Sequence, residues 1–164
     1  MPASTVIKHL YDGAIKLTDG TGTPVTLTIP FTVGDLKLSG LAETQKNVVA
    51  YEARGTLASL RHTSRTYPTG SFSFQIADYS DATNLTAIDF LRQTGAYNAN
   101  LSTLGTASDV YTLDITLTVE GTNFGDGSDH TIVLEDCHCT LDPSEGEPNS
   151  VSVNFTVYGN VTFT

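Results

Sequence analysis

The stretch SVSVNFTVYGNVTFT, residues 150–164, decides how the chain is read. From Val151 every second position is apolar or glycine: Val151, Val153, Phe155, Val157, Gly159, Val161, Phe163. Ser152, Asn154, Thr156, Tyr158, Asn160 and Thr162 alternate with them, and none carries a charge. Side chains on a strand point to opposite faces with period two, so this is one long strand with one face for a core and one polar, unguarded face. Fully extended it spans ~46 Å at about 3.3 Å per residue, well beyond the usual five or six residues of a strand. An open edge of that length is a template for another chain, so pairing between copies is the expected use of this segment.

The same period recurs upstream. Residues 14–18 read as a strand, DGTG at 19–22 as a hairpin turn, and Val25, Leu27, Ile29, Phe31 and Val33 as one face of a second strand that begins at Pro24. After Gly34 and Asp35 the apolar parity switches to Leu36 and Leu38, which a bulge or bend accounts for. Strands are expected over 47–54, 56–62 and 71–76. The middle of this block is weakly apolar and holds three of the four arginines, Arg54, Arg61 and Arg65, which suits an extended hairpin or loop over about 43–68 that orders on a partner. One helix is expected at 84–94: Thr86 and Asp89 form a capping box, Leu85, Ile88 and Leu91 form a stripe, and Gly95 ends it. Tyr111, Leu113, Ile115, Leu117 and Val119 mark a further strand. FGDGSDH at 124–130 turns the chain into 131–141, and DPSEGEPNS at 142–150 turns it back. Eight or nine strands and one helix make a mainly β fold: two packed antiparallel sheets, sandwich or barrel-like, with one flanking α-helix and a long hairpin arm.

A length of 164 residues suits a single domain, 1–164, able to bury roughly 70% of its unfolded surface. No run of eighteen apolar residues and no signal-like start are present, so a soluble chain outside any membrane is expected. The formal charge is −10, from 8 Lys and Arg against 18 Asp and Glu, which excludes a grip on nucleic acid by phosphate neutralisation. An acidic or neutral wall is compatible with passive passage of a polyanion.

Chemistry is poorly supplied. Cys137, His138 and Cys139 suggest a metal, but a strand places both thiols on one face and the imidazole on the other. FGDGSDH lacks the distal Glu of a calcium loop. Asp142, Glu145 and Glu147 lie in a Pro- and Gly-bearing turn and read as solvated carboxylates. The four histidines are dispersed, and no serine sits in a nucleophile elbow. No enzyme activity, cofactor or metal is expected. Tyr67, Tyr79 and Tyr97 suit core or interface roles, since no tryptophan is present to build a stacking platform.

The run RTYPTGSFSFQIADYSD at 65–81, AIDFLRQTGAY at 87–97, two alternating strands and then SEGEPNSVSVNFTVYGNV at 144–161 resemble the major tail tube proteins of long-tailed bacteriophages or of related phage-like particles. The resemblance implies two packed sheets flanked by a helix, hexameric rings, and stacking of rings into a tube through which DNA leaves the virion. It makes residues 1–12 an inter-ring arm, the block at 43–68 a hairpin reaching the neighbouring ring, and 84–94 the flanking helix. It implies a virion protein made in the bacterial host cytoplasm, with tail terminator, tape-measure and baseplate proteins as further partners, and double-stranded DNA passing unbound. Contact between Arg54, Arg61 and Arg65 of one copy and Asp142, Glu145 and Glu147 of the next is the expected charge pairing. The competing expectation is a β-sandwich binding module, either carbohydrate-binding or a virion decoration domain.

Overall fold

A computed structural model of the chain describes residues 13–41, 46–77, 86–121 and 127–164. Expectations for the arm at 1–12, for residues 43–45 of the hairpin, for Tyr79, for the start of the helix at 84–85 and for residues 124–126 of the 124–130 turn fall outside these residues. The fold is mainly β with two antiparallel sheets, as the alternation predicts. The larger contains β1 (Ala14–Thr18), β2 (Thr26–Thr28), β3 (Lys37–Ser39), β6 (Thr69–Gln75), β7 (Leu113–Val119), β8 (His130–Ser144), β9 (Ser150–Val157) and β10 (Val161–Phe163). Its order is β2-β1-β7-β8-β9-β6-β3, and β10 pairs with β8. The smaller sheet is the hairpin of β4 (Lys46–Ala53) and β5 (Thr56–Arg65).

One face of the larger sheet makes the core. The register puts Ile15 opposite Leu117, Leu117 opposite Ile132, Cys139 opposite Phe155, and Val153 opposite Phe72. Directly opposed residues share a face, so these apolar rows are continuous across the sheet. The sheet curls. Ile29 N–H donates to the Ile15 carbonyl at one end, while Val33 N–H donates to Ser73 and the Phe31 carbonyl accepts from Gln75 at the other. Residues 29–33 thereby tie β1 to β6 across three intervening strands, and Ile15, Leu117 and Phe72 line one small cleft. This overturns the uniform strand expected from Val25 to Val33. Only Thr26–Thr28 pairs as a strand, and Phe31 takes φ 56° to redirect the chain, leaving its ring 64% exposed.

The closing strand is likewise not one strand. β8 takes an extra residue at Glu135 and Asp136, where Asp136 has φ 55°, and the facing chain breaks at 158–160. Gly159 fits there because a Cβ would come within 2.6 Å of Glu135 Cβ and 2.8 Å of Asp136 Oδ2. β9 lies between β8 and β6, both sides paired, so among the described residues the long free edge expected for residues 150–164 is reduced to three residues of β10.

Helix α1 (Ala87–Arg92) is shorter than 84–94 but is capped as expected, with Asp89 N–H donating to Thr86 Oγ1 at 3.1 Å. Its Phe90 ring meets Tyr97 edge-on at 4.7 Å in the core. The C-terminal cap is Gln93, at φ 56°, and Gly95 follows at φ 57° against the buried Asp89 carboxylate. That carboxylate accepts from Thr86 Oγ1 and Thr94 Oγ1, closing a polar ring under the helix. Gly95→Ala would place a methyl 2.7 Å from Asp89 Oδ2 on a left-handed backbone. We expect it to lower unfolding free energy by about 2–3 kcal/mol in urea denaturation.

Candidate assembly interface

The β4–β5 arm is exposed on both faces. Its strands pair only with each other within the described residues, and nearly every described side chain is exposed. Val48, Leu57 and Leu60 are 55%, 56% and 60% exposed. The register explains how they come together. Val48 opposes His62 and Ala50 opposes Leu60; then β5 bulges, so that Tyr51 opposes Ser59 but Glu52 already opposes Leu57. The extra residue brings Leu57 onto the face of Leu60, Ala50 and Val48, with Val49, Tyr51 and Arg61 on the opposite face. Strict period two would have put Leu57 and Leu60 on opposite sides, so sequence alternation could not show this face.

Charge is divided along the same boundary. Residues 46–65 carry four of the eight cations, Lys46, Arg54, Arg61 and Arg65, against one acid, Glu52. The rest of the chain carries four cations against seventeen acids.

Arg54 sits in the hairpin turn at φ 52° beside Gly55, Arg61 on β5, and Arg65 at the end of β5; all three are exposed. Asp142 lies on β8 and accepts from Asn154 Nδ2 at 2.8 Å, and Glu145 and Glu147 are exposed in the turn that follows. Arg65 already has a partner in its own chain. Its Nη2 donates to the Gly159 carbonyl at 3.2 Å, its guanidinium lies 5.2 Å from the Tyr67 ring centre, and Tyr67 meets Tyr158 at 4.8 Å. The root of the arm is therefore anchored on the joint between β9 and β10.

At that joint β10 offers an edge. Thr131 and Thr164 exchange both backbone hydrogen bonds, so by antiparallel alternation Val161 and Phe163 direct their N–H and C=O away from β8. Phe163, expected inside, is 61% exposed because β10 runs past the core.

A second apolar feature lies elsewhere. Between α1 and the end of β8 is a cleft of about 500 Å³ lined by Ile88, Leu91, Cys139, Leu141, Pro143 and Val151, adjoined by a polar recess that includes Glu145.

The two thiols are on the inner face and His138 on the outer, as expected. Cys137 is fully buried and donates to the Leu134 carbonyl; burial pushes its thiol well up and that of Cys139 up to about 12. Both stay protonated at neutral pH and are poor ligands or nucleophiles. Among the described residues no group of three acidic, histidine or cysteine side chains is placed to hold a metal.

No protein-family profile matches the chain, and no curated protein does. Solved structures do share its fold. One is a sheath/tube terminator of an extracellular contractile injection system, PVC, in the extended state: 13% identity over 100% of this chain and 97% of that one, TM-score 0.58. Another is the tube-terminating cap of the anti-feeding prophage, with 14% identity over 100% and 95%, TM-score 0.57. A third is a chain of the PVC sheath–tube complex, with 11% identity over 92% and 87%, TM-score 0.53.

A carboxylate cluster next to the β9–β10 joint gives a pH signature. Burial raises the Asp114 carboxyl; the Asp136 N–H it accepts opposes this, and the charges of Asp136 and Glu135 add to it. A raised folded-state pKa means that the stability contribution is full below the ordinary value of 3.8 and is lost as pH rises through the folded value. Asp114→Asn keeps an acceptor and removes the charge. Its melting temperature should exceed wild type at pH 7, with the gain shrinking as pH falls toward 3.8.

Proposed function

We propose that the chain is a non-catalytic structural subunit of a phage-like tail, closing with copies of itself into a ring at the level of the tube. The observation that carries this is the arm: three large aliphatic side chains more than half exposed on a hairpin whose strands pair with no other described strand. A monomer that kept them in water would hold an aggregation-prone surface, whereas a ring or stack covers it. The fold shared with tube terminators and a sheath–tube component supports the same reading. Edges such as β10 would continue the sheet into a neighbour, and ring closure removes the remaining free edges. Six copies, stacked rings and a lumen that lets DNA pass are the finer form of the proposal, and the acidic balance of the body suits an unsticky wall. A terminator reading competes with a repeating tube subunit, favoured by the end-to-end match to a terminator and a cap.

Electron microscopy and sedimentation of the purified chain test both. Open-ended tubes indicate the repeating subunit and single closed rings the terminator. A folded monomer at high concentration, or one that takes up glycans instead, would remove the proposal.

Between copies, Arg54 and Arg61 would meet Asp142, Glu145 and Glu147, with Arg65 retained at the root of its own arm. Exposed ion pairs are worth only about 0–1 kcal/mol each, so their role is register more than affinity. Reversing Arg54 and Arg61 to Glu should cut assembly, and adding Glu145→Arg and Glu147→Arg should restore it. Absence of rescue would remove the pairing while leaving assembly itself in place.

A further inference from the structure

We propose that the arm of one copy docks its Val48, Leu57 and Leu60 face into the cleft between α1 and β8 of a second copy. This rests on the self-assembly reading above and adds the surface that receives the arm. Three observations converge. The arm face that carries Val48, Leu57 and Leu60, together with Glu52 and His62, is gathered by a specific bulge, and its three large aliphatic side chains are more than half exposed. The cleft offers an apolar recess lined by Ile88, Leu91, Leu141 and Val151 between the helix and the sheet. Charge favours the occupant: Arg92 lines the cleft, but the turn at its border carries Glu145 and Glu147, and the most cationic stretch of the chain is the arm, four cations against one acid. Arg54, at the tip and three residues from Leu57, is the cation this geometry brings to that turn. Arg61, on the opposite face, would approach the same acidic residues from the rim.

Docking of this kind is heterologous, since the arm and cleft are different surfaces of one chain, so every copy both gives and receives. That arrangement propagates around a ring or from ring to ring and does not stop at a pair.

The test places the photoreactive residue p-benzoylphenylalanine at position 60, mixes that chain with ¹⁵N-labelled wild type, assembles, irradiates and maps the adducts by mass spectrometry. Heavy peptides containing Ile88 and Leu91, or Cys139, Leu141 and Pro143, are expected, and the same probe at Tyr51 should give at least tenfold less of them. Adducts elsewhere, or only within the light chain, in particles that form normally would overturn the docking surface and leave the assembly reading standing. A folded chain that neither assembles nor gives adducts overturns both. Leu57→Asp with Leu60→Asp gives an independent arm: with both side chains exposed, melting should be unchanged while the assembled fraction falls at least tenfold. Normal assembly of that double variant would also overturn the proposal.

Discussion

Strand β8 is the constraint on which the rest of the structure depends. Its fifteen residues pair with β7 on one side and with β9 and then β10 on the other. No straight, regular strand could do this under a curling sheet, because strands of constant register diverge as the sheet twists. The bulge at Glu135 and Asp136 absorbs the difference, and it does so with one residue in a left-handed conformation and a glycine opposite it. The local carboxylates are held in place: Asp136 accepts from Thr103 Oγ1, its N–H donates to Asp114, and Glu135 accepts from the Asn160 amide. The inner face stays continuous through the bulge, from Ile132 and Leu134 to Cys137, while the chain changes direction. The break in the last strand, the free edge of β10 and the anchor of the arm at Gly159 all follow from that one irregularity.

What the sequence made legible divides along the same line. Period-two rows such as Leu113, Ile115, Leu117 and Val119, or Val151, Val153, Phe155 and Val157, are buried as read, because the hydrophobic pattern alone fixes which face of a paired strand turns inward. The cap at Thr86 and Asp89 was equally plain, since it is a local hydrogen bond written in adjacent residues. Misreadings occur where a single residue at positive φ breaks the period. Phe31, just after Pro30, and Asp136, facing Gly159, adopt positive φ, and each redirects a segment that alternates as if it were straight. Asp19 was passed over for a related reason. Its carboxylate accepts from Val25 and Leu101 N–H groups 6 and 82 residues away, and no local pattern announces a long-range partner. On the arm, strict alternation would put Leu57 and Leu60 on opposite faces, and only the register of the bulge joins them.

The arm and the body are complementary halves of one design. A body with seventeen acids repels other bodies, which keeps copies apart in free solution, while the cationic arm is attracted to any of them. Arg65 and the stacked Tyr67 and Tyr158 pin the arm at its root, so its direction is set before a partner arrives and less orientational freedom is lost on docking.

Magnitudes decide how such an assembly must form. Full burial of a Val or Leu is worth roughly 1.5–3 kcal/mol, and three side chains that are already partly covered would recover on the order of 3–5 kcal/mol. Bringing two proteins together costs an estimated 4–15 kcal/mol in lost freedom. One docked arm therefore does not hold a pair of copies, and a few exposed ion pairs at about 0–1 kcal/mol each do not change that. In a closed ring each copy is held by more than one contact, and the last copy to enter meets neighbours already fixed relative to each other, so its second contact forms at high effective concentration. Weak single contacts and strong closure make intermediates scarce and completed particles stable, and they make a lone subunit persist until enough copies are present. In the proposed ring the arm's apolar face would be too small to hold a pair by itself, and large enough to matter once every copy contributes one.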